Sequence, residues 1–121
     1  ANGLLSGKYH ENTVFGGREV YRTVMPQFSP EGLKQNQALL ELIRNTAEGK
    51  DATMSQIALA WMLCKKPYLV PIPGTRKPER LEENLGAAEV TLSAEEVAAL
   101  DRALDQLPMS QVYGGCRILE K

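Results

Sequence analysis

The sequence predicts part of an α/β domain that is mostly helical, with one or two short strands. Four segments show helical apolar periodicity, and a uniformly apolar run, YLVPIP at 68–73, lies between the second and third of them. An apolar run of this length between helices is typical of a buried strand in a parallel sheet, although its two prolines cannot donate ladder hydrogen bonds and predict a short strand. Such a strand needs strand neighbours, and the sequence shows no clear candidate for one. We therefore expect residues 1–121 to form a single incomplete domain.

The first two helices have clear start and stop signals. Ser29 can cap the first helix, Pro30 suits its first turn, and Gly49 ends it. Thr53 and Gln56 have the spacing of a capping box, which predicts the start of the second helix. A proline stops that helix just before the apolar run.

The remaining elements are read in the same way. A third helix is predicted over about 78–87, and a fourth begins at Ser93, which has the spacing of a capping box with Glu96. Residues 1–28 contain glycines and a proline that break any period, which predicts a long loop. The tail from Pro108 is predicted to be irregular.

Composition and charge exclude several functional classes. The chain has 121 residues, of which 43% are apolar, and its net charge of -1 provides no global field for nucleic acid or an anionic membrane. No apolar run approaches the roughly 20 residues of a membrane span, and the start lacks the pattern of a signal peptide. Cys64 and Cys116 are not placed like a disulfide framework. We expect a cytoplasmic protein with no nucleic-acid or membrane partner.

The run VPIPGTRKPERLEEN at 70–84 is the leading candidate for a binding site. A loop after a strand lies at the carboxyl end of an α/β sheet, where ligands bind. Unpaired N–H groups at the start of the third helix favour an anion. Arg76 and Arg80 could grip a phosphate, Lys77 adds a point charge, and Thr75 offers a hydroxyl. A phosphate-bearing cofactor is therefore the first hypothesis.

Glu83 and Asn84 extend this candidate site along the helix. Both are hydrogen-bonding groups suited to an adenine or ribose edge. The alternative is a solvated helix face on which Glu79, Glu83 and Arg80 form weak pairs. Residue chemistry alone leaves both interpretations open.

Catalytic groups are harder to find. His10 is the only histidine, and it has no partner at triad or metal-ligand spacing, so we expect a surface or structural role. The stretch Ala1, Asn2 and Gly3 could let backbone approach a ligand closely, or it could form an ordinary turn. No metal site, nucleophile elbow or P-loop pattern is present in the sequence.

Three stretches resemble a known family. GLLSGKY at 3–9, QIALAW at 56–61 and VPIPGTRKPERLEENLGAA at 70–88 resemble the C-terminal third of the aldo-keto reductases, with bacterial members that have a PIPGT loop being most similar. The third stretch is specific, and the other two support it. Together they span nearly the whole chain in the family's order.

The resemblance implies a (β/α)8 TIM barrel of NADP(H)-dependent oxidoreductases that reduce aldehydes and ketones. It implies that this chain is the C-terminal part of such a barrel, with the loop after the seventh strand, helices, an eighth strand over 68–73 and a C-terminal helix. Ala1, Asn2 and Gly3 would lie in that first loop and contact the cofactor pyrophosphate.

The resemblance also implies a set of cofactor-binding residues. Thr75 and Arg80 would hold the 2′-phosphate of NADPH, and Glu83 and Asn84 would hold the adenine amine. Many members have Lys where this chain has Gly74, so the use of NADH stays open. The full set is Ala1, Asn2, Gly3, Ile72, Gly74, Thr75, Arg76, Lys77, Arg80, Glu83 and Asn84.

The resemblance implies no catalytic residue in this chain, because the family's catalytic Asp, Tyr, Lys and His come from earlier strands. Neither Tyr9 nor His10 matches them. We predict a reductase acting on a small-molecule carbonyl, of which this chain supplies the cofactor-binding part, and no activity for the chain alone. The alternative is a non-catalytic helical binding or oligomerisation module derived from such a barrel, paired with a second copy or with the N-terminal part of the barrel. A regulatory subunit is a third possibility that nothing in the sequence favours.

Overall fold

Helices make up most of the structure, a computed structural model that describes residues 2–108 and 110. The α-helices of this part are α1 (Pro30–Gln35), α2 (Gln37–Gly49), α3 (Met54–Lys65), α4 (Pro78–Gly86) and α5 (Ala94–Gln106). Short 3₁₀ helices span Leu4–Ser6, Gly17–Val24, Pro26–Phe28 and Ala87–Glu89. Ala1, Cys116 and most of the tail that the sequence predicts to be irregular lie outside the described residues.

The helix starts are confirmed where the sequence predicts them. Thr53 Oγ1 accepts the N–H of Gln56 at 3.2 Å, and Gln56 Oε1 accepts the N–H of Thr53 at 2.9 Å, which completes the capping box of α3. Ser93 and Glu96 form the same reciprocal pair at the start of α5. Ser29 accepts an N–H of the first turn of α1 at 3.0 Å. Each cap satisfies backbone donors that the helix cannot satisfy itself.

The helix predicted to run from Ser29 to Gly49 is instead two helices that meet at Asn36. The Asn36 side chain is fully buried, its Nδ2 donates to Ser110 Oγ at 2.8 Å, and its Oδ1 accepts the N–H of Ser110 at 3.2 Å. A buried amide needs such partners, and Ser110 is 74 residues away in the chain. This long-range contact has no signature in local periodicity, which explains why the sequence predicts one helix.

The N-terminal segment, predicted as a long loop, contains short 3₁₀ helices and a small apolar cluster. Tyr9, Phe28 and Leu33 expose 5%, 4% and 5% of their surfaces. The rings of Tyr9 and Phe28 meet edge to face with centroids 5.3 Å apart, and Phe15 packs on both. Such aromatic contacts hold the segment against α1 although it has no helical or strand period.

The predicted strand at 68–73 is wrong for this chain, since the described residues contain no strand. The run is non-helical chain that lies at the surface, with Tyr68, Val70 and Ile72 exposed by 76%, 78% and 93%. A strand forms only when a neighbouring strand accepts and donates its backbone hydrogen bonds, and no described segment does so. The prolines of the run also remove two donors. The apolar run therefore lacks the burial that its composition predicts.

Helix α3 lies at the centre of the main core. Ile57 and Ala60 on α3 are 0% and 1% exposed, and they pack with Leu39 and Ile43 of α2 and Leu100 of α5. Helix α4 also packs against α3. The position of α4, which carries most of the candidate site, therefore depends on α3.

A polar link beside this core also joins α3 to α5. The half-buried Trp61 donates its Nε1–H to Asp101 Oδ1 at 2.8 Å, and Lys65 Nζ lies 2.8 Å from the same oxygen. None of the helices in the described part of the chain is long and apolar enough to cross a membrane.

Candidate functional site

The candidate site begins in the loop that leads into α4. Thr75 Oγ1 accepts the N–H of Lys77 at 3.2 Å, and this short turn brings the chain to the start of the helix. Lys77 occupies the N-cap position in an extended conformation and provides no side-chain acceptor, and Pro78 follows in the first turn. Because no side chain of the N-cap residue covers the start of α4, the positive end of its dipole is open to an anion.

The cationic side chains around this helix start are accessible. Arg76 and Lys77 are exposed, and neither forms an ion pair with any residue that the structure describes. The side chain of Arg80 is 57% exposed. Ile72 and Gly74 are exposed as well, and no heavy atom outside residues 73–75 lies within 4 Å of the position that a Cβ would take at Gly74. A phosphate could therefore reach these groups without a rearrangement of the chain.

Glu83 lies one turn further along α4 and is well held. Its side chain is 12% exposed, its Oε1 accepts the hydroxyl of Thr53 at 2.8 Å, and its Oε2 accepts from Arg80 Nη1. Gln56 Nε2 donates to the backbone carbonyl of Glu83 at 2.9 Å. Asn84 is half-buried beside it. Positions 80, 83 and 84 share one face of a helix, so α4 presents a guanidinium, a carboxylate and an amide together.

The surroundings of Glu83 keep it ionised. Burial acts to raise the pKa of this carboxyl, but the hydrogen bonds from Arg80 and Thr53 and the charge of Arg80 outweigh burial and hold the pKa below its ordinary value. Glu83 is therefore a carboxylate at neutral pH and can only accept hydrogen bonds.

Asn2 and Gly3 form a second, separate group of candidate residues. Both have left-handed backbone conformations, with φ of 53° and 89°, and Arg22 Nη2 donates to the Asn2 carbonyl at 3.0 Å. A Cβ at Gly3 would lie 3.3 Å from the Tyr9 ring. The tight turn therefore needs glycine there. Ala1 lies outside the described residues, so its predicted role has no structural counterpart here.

Some polar contacts around the candidate residues have no signal in the sequence. Thr53 and Gln56 are recognisable as a capping box, but nothing in the sequence indicates that the same side chains bind α4. Around Tyr9, the hydroxyl donates to Glu19 Oε1 at 2.9 Å, and burial together with this hydrogen bond raises the pKa of Tyr9. His10 is exposed.

Within residues 2–108 and 110, no group of three or more His, Cys, Asp or Glu side chains is arranged to hold a metal ion.

The lowered pKa predicts a pH-dependent contribution of Glu83 to stability. A group whose pKa is lower in the folded state stabilises that state fully above its unfolded pKa, and the contribution disappears as the pH falls through the folded pKa. We expect the difference in free energy of unfolding between the unmodified chain and Glu83→Gln to be largest near neutral pH. The difference should shrink once the pH falls below the ordinary value of 4.5.

Urea denaturation of both proteins over this pH range measures that difference. Glu19, Glu96 and Asp101 also have lowered pKa values, but they are present in both proteins and their contributions cancel. A difference that stays constant down to strongly acidic pH would contradict the ionised, hydrogen-bonded state of Glu83.

Comparison with known proteins places the chain in a family. The sequence model of the Aldo/keto reductase family matches residues 1–105. An aldo-keto reductase of Strobilurus tenacellus is 36% identical over 104 residues, which cover 86% of this chain and 31% of that protein. A probable aldo-keto reductase of Glycine max is 37% identical over 109 residues, which cover 84% of this chain and 31% of that protein.

An uncharacterized oxidoreductase of Mycobacterium bovis is 41% identical over 103 residues, which cover 85% of this chain and 31% of that protein. The chain thus spans about 31% of the length of each of these curated relatives. The match to the family model extends over most of the chain and includes the whole candidate site on α4. The chain belongs to the Aldo/keto reductase family.

Proposed function

We propose that this chain supplies the cofactor-binding part of an NADP(H)-dependent reductase that converts aldehydes and ketones to alcohols. The observation that carries the proposal is the arrangement on α4, where the exposed guanidinium of Arg80 lies beside an uncapped helix start and an ionised Glu83. A cation beside the positive end of a helix dipole suits a phosphate, and a carboxylate acceptor suits an amine. The adenosine 2′-phosphate end of NADPH presents both groups.

Each residue of α4 and its preceding loop has a separate role in this proposal. Thr75 and Arg80 hold the 2′-phosphate, while Arg76 and Lys77 add positive charge where Gly74 carries none. A carboxylate has about four lone-pair sites, so Glu83 can accept from an adenine amine while it still binds Arg80 and Thr53. The cofactor, when bound, supplies the hydride, and this chain binds and orients its adenosine end.

The remaining predicted cofactor residues fit the same proposal less directly. The left-handed turn of Asn2 and Gly3 brings backbone close to the surface, which suits contact with a pyrophosphate. Ile72, exposed by 93%, would lie beside the cofactor on the same loop. The role of Ala1 rests on the resemblance alone. We place the protein in the cytoplasm, which accords with the free, exposed thiol of Cys64.

The rest of the reductase would supply the chemistry and cover the apolar run. A barrel of this type needs roughly 250 residues, about twice the length of this chain. The exposed Tyr68 and Val70 would then be buried by neighbouring strands. Tyr9 is not proposed as the proton donor, because its hydroxyl is bound to Glu19 and its pKa is raised.

We expect the 121-residue chain alone to show no reductase activity, because the proposal places every catalytic group elsewhere. The measurement is NADPH consumption with a broad panel of aldehydes and ketones, run in parallel on the longer reductase that contains this chain. Turnover by the purified 121-residue chain would contradict the proposal that the catalytic groups lie outside it. Failure of the longer protein to oxidise NADPH with any carbonyl would contradict the reductase assignment itself.

Substitution of Arg80 tests the 2′-phosphate role. In the reductase that contains this chain, Arg80→Ala should weaken NADPH binding by about 1–3 kcal/mol, the contribution of a charge-assisted contact, and should weaken NADH binding less. Fluorescence titration with both cofactors measures the difference. Arg102→Ala, an exposed arginine on α5, is the matched control and should change neither affinity. Equal losses for NADPH and NADH in Arg80→Ala would reject the role.

A second candidate function is a non-catalytic helical module that binds a partner or a second copy. The exposed apolar side chains of Tyr68, Val70, Ile72 and Leu85 favour it, because such surface promotes association. Sedimentation of the 121-residue chain distinguishes the two candidates. Concentration-dependent self-association supports the module, and a monomer that unfolds cooperatively counts against it.

A further inference from the structure

The N-terminal end of α3 binds α4 at the residue that the cofactor proposal makes central. Thr53 Oγ1 donates to Glu83 Oε1 at 2.8 Å, and Gln56 Nε2 donates to the Glu83 carbonyl at 2.9 Å. Thr53 and Glu83 are 30 residues apart in the sequence. One contact holds the side chain of Glu83 and the other holds its backbone, so both the place and the direction of the carboxylate are set from α3.

Both side chains do this while they cap their own helix. Thr53 Oγ1 accepts the N–H of Gln56 at 3.2 Å, and Gln56 Oε1 accepts the N–H of Thr53 at 2.9 Å. A hydroxyl and a primary amide can donate and accept at the same time, whereas a carboxylate can only accept. Glycine at 53, which is tolerated at an N-cap, and methionine at 56 would therefore remove these donors without placing a second carboxylate beside Glu83.

The other capping box shows that this donor chemistry is not needed for capping. At the start of α5, the carboxylate of Glu96 accepts the N–H of Ser93, and it also forms an ion pair with Lys50 at 2.9 Å. The capping box of α3 thus differs from that of α5 in having a donor at its third helical position. That donor is the one that reaches α4.

Close packing supports the same link. A Cβ at Gly86 would lie 2.6 Å from Gln56 Nε2. A side chain at position 86 would therefore displace the Gln56 amide from its present place. Gln56 lies between its cap contact and α4, and from this place it accepts the N–H of Thr53 and donates to the Glu83 carbonyl.

We propose that Thr53 and Gln56 are positioning residues that hold Glu83, and through it the Arg80 guanidinium, in place for the 2′-phosphate of the cofactor. The inference rests on the proposed cofactor role of α4. Arg80 is a long side chain with 57% of its surface exposed, and it would otherwise lose considerable rotamer freedom on binding a phosphate. The ion pair with Glu83 already restricts the rotamers of Arg80 before the phosphate binds. Thr53 occupies one carboxylate oxygen of Glu83 and leaves the other for Arg80.

The test uses Thr53→Gly and Gln56→Met in the reductase that contains this chain. Each variant removes one donor to Glu83 without adding charge near the phosphate site, and each also removes one hydrogen bond of the capping box of α3. We expect each to raise the dissociation constant of NADPH by about threefold to tenfold, which corresponds to the loss of one typical hydrogen bond, and to raise that of NADH less. Thr53→Ser retains the hydroxyl and should bind both cofactors like the unmodified protein.

Ser93→Gly and Glu96→Met are the matched controls, since they make the same kind of change in the capping box of α5, away from α4. They should leave both dissociation constants unchanged. Thermal denaturation of all variants shows whether a loss of binding reflects unfolding. If one of the two α3 variants fails to fold, the other decides the result.

The outcomes separate this inference from the cofactor proposal. If Arg80→Ala weakens NADPH selectively but Thr53→Gly and Gln56→Met do not, the positioning role is wrong and the cofactor site stands. Equal weakening of NADPH and NADH by folded α3 variants would also overturn the positioning role. If Arg80→Ala weakens NADPH and NADH equally, the proposed 2′-phosphate site is wrong, and the positioning role is wrong with it.

Discussion

The packing of α3 against its neighbours is the constraint on which the rest of this structure depends. Ile57 and Ala60 are almost fully buried between α2 and α5, and α4 rests on the same helix. Full burial of a side chain as large as that of Ile57 contributes roughly 1.5–3 kcal/mol relative to exposure. Because α3 is fixed in this way, the two side chains of its capping box can hold α4 at a defined position.

The candidate site combines accessible cations with one well-held carboxylate. Arg76, Lys77 and Arg80 are exposed, whereas Glu83 is 12% exposed and bound from two sides. The cations can therefore meet an anion that arrives from solution, while the carboxylate stays ionised and oriented before it arrives. This division suits a ligand with a phosphate at one end and a hydrogen-bond donor at the other.

Much of the fold follows from local sequence rules, and the exceptions have a common cause. Thr53 with Gln56 and Ser93 with Glu96 mark helix starts correctly, because a cap depends only on residues three apart. The break at Asn36 depends on a contact with Ser110, which is 74 residues away, and Thr53 and Glu83 are 30 residues apart. No local sequence pattern encodes either contact. The strand predicted at 68–73 is wrong because its composition indicates burial, while burial requires neighbours that the described part of the chain does not provide. The shared helix face of Arg80, Glu83 and Asn84 was predictable because spacing on a helix is local, but the contact of α3 with Glu83 was not.

Hydrogen exchange in the presence and absence of NADPH tests most directly whether α4 and its preceding loop bind the cofactor. In the proposed reductase, saturating NADPH should slow exchange of the backbone amides at 75–84 and leave those at the start of α5 unchanged. The start of α5 is a fair internal reference, because it is a capped helix start of similar exposure. Protection elsewhere in the reductase with no change at 75–84 would contradict the account.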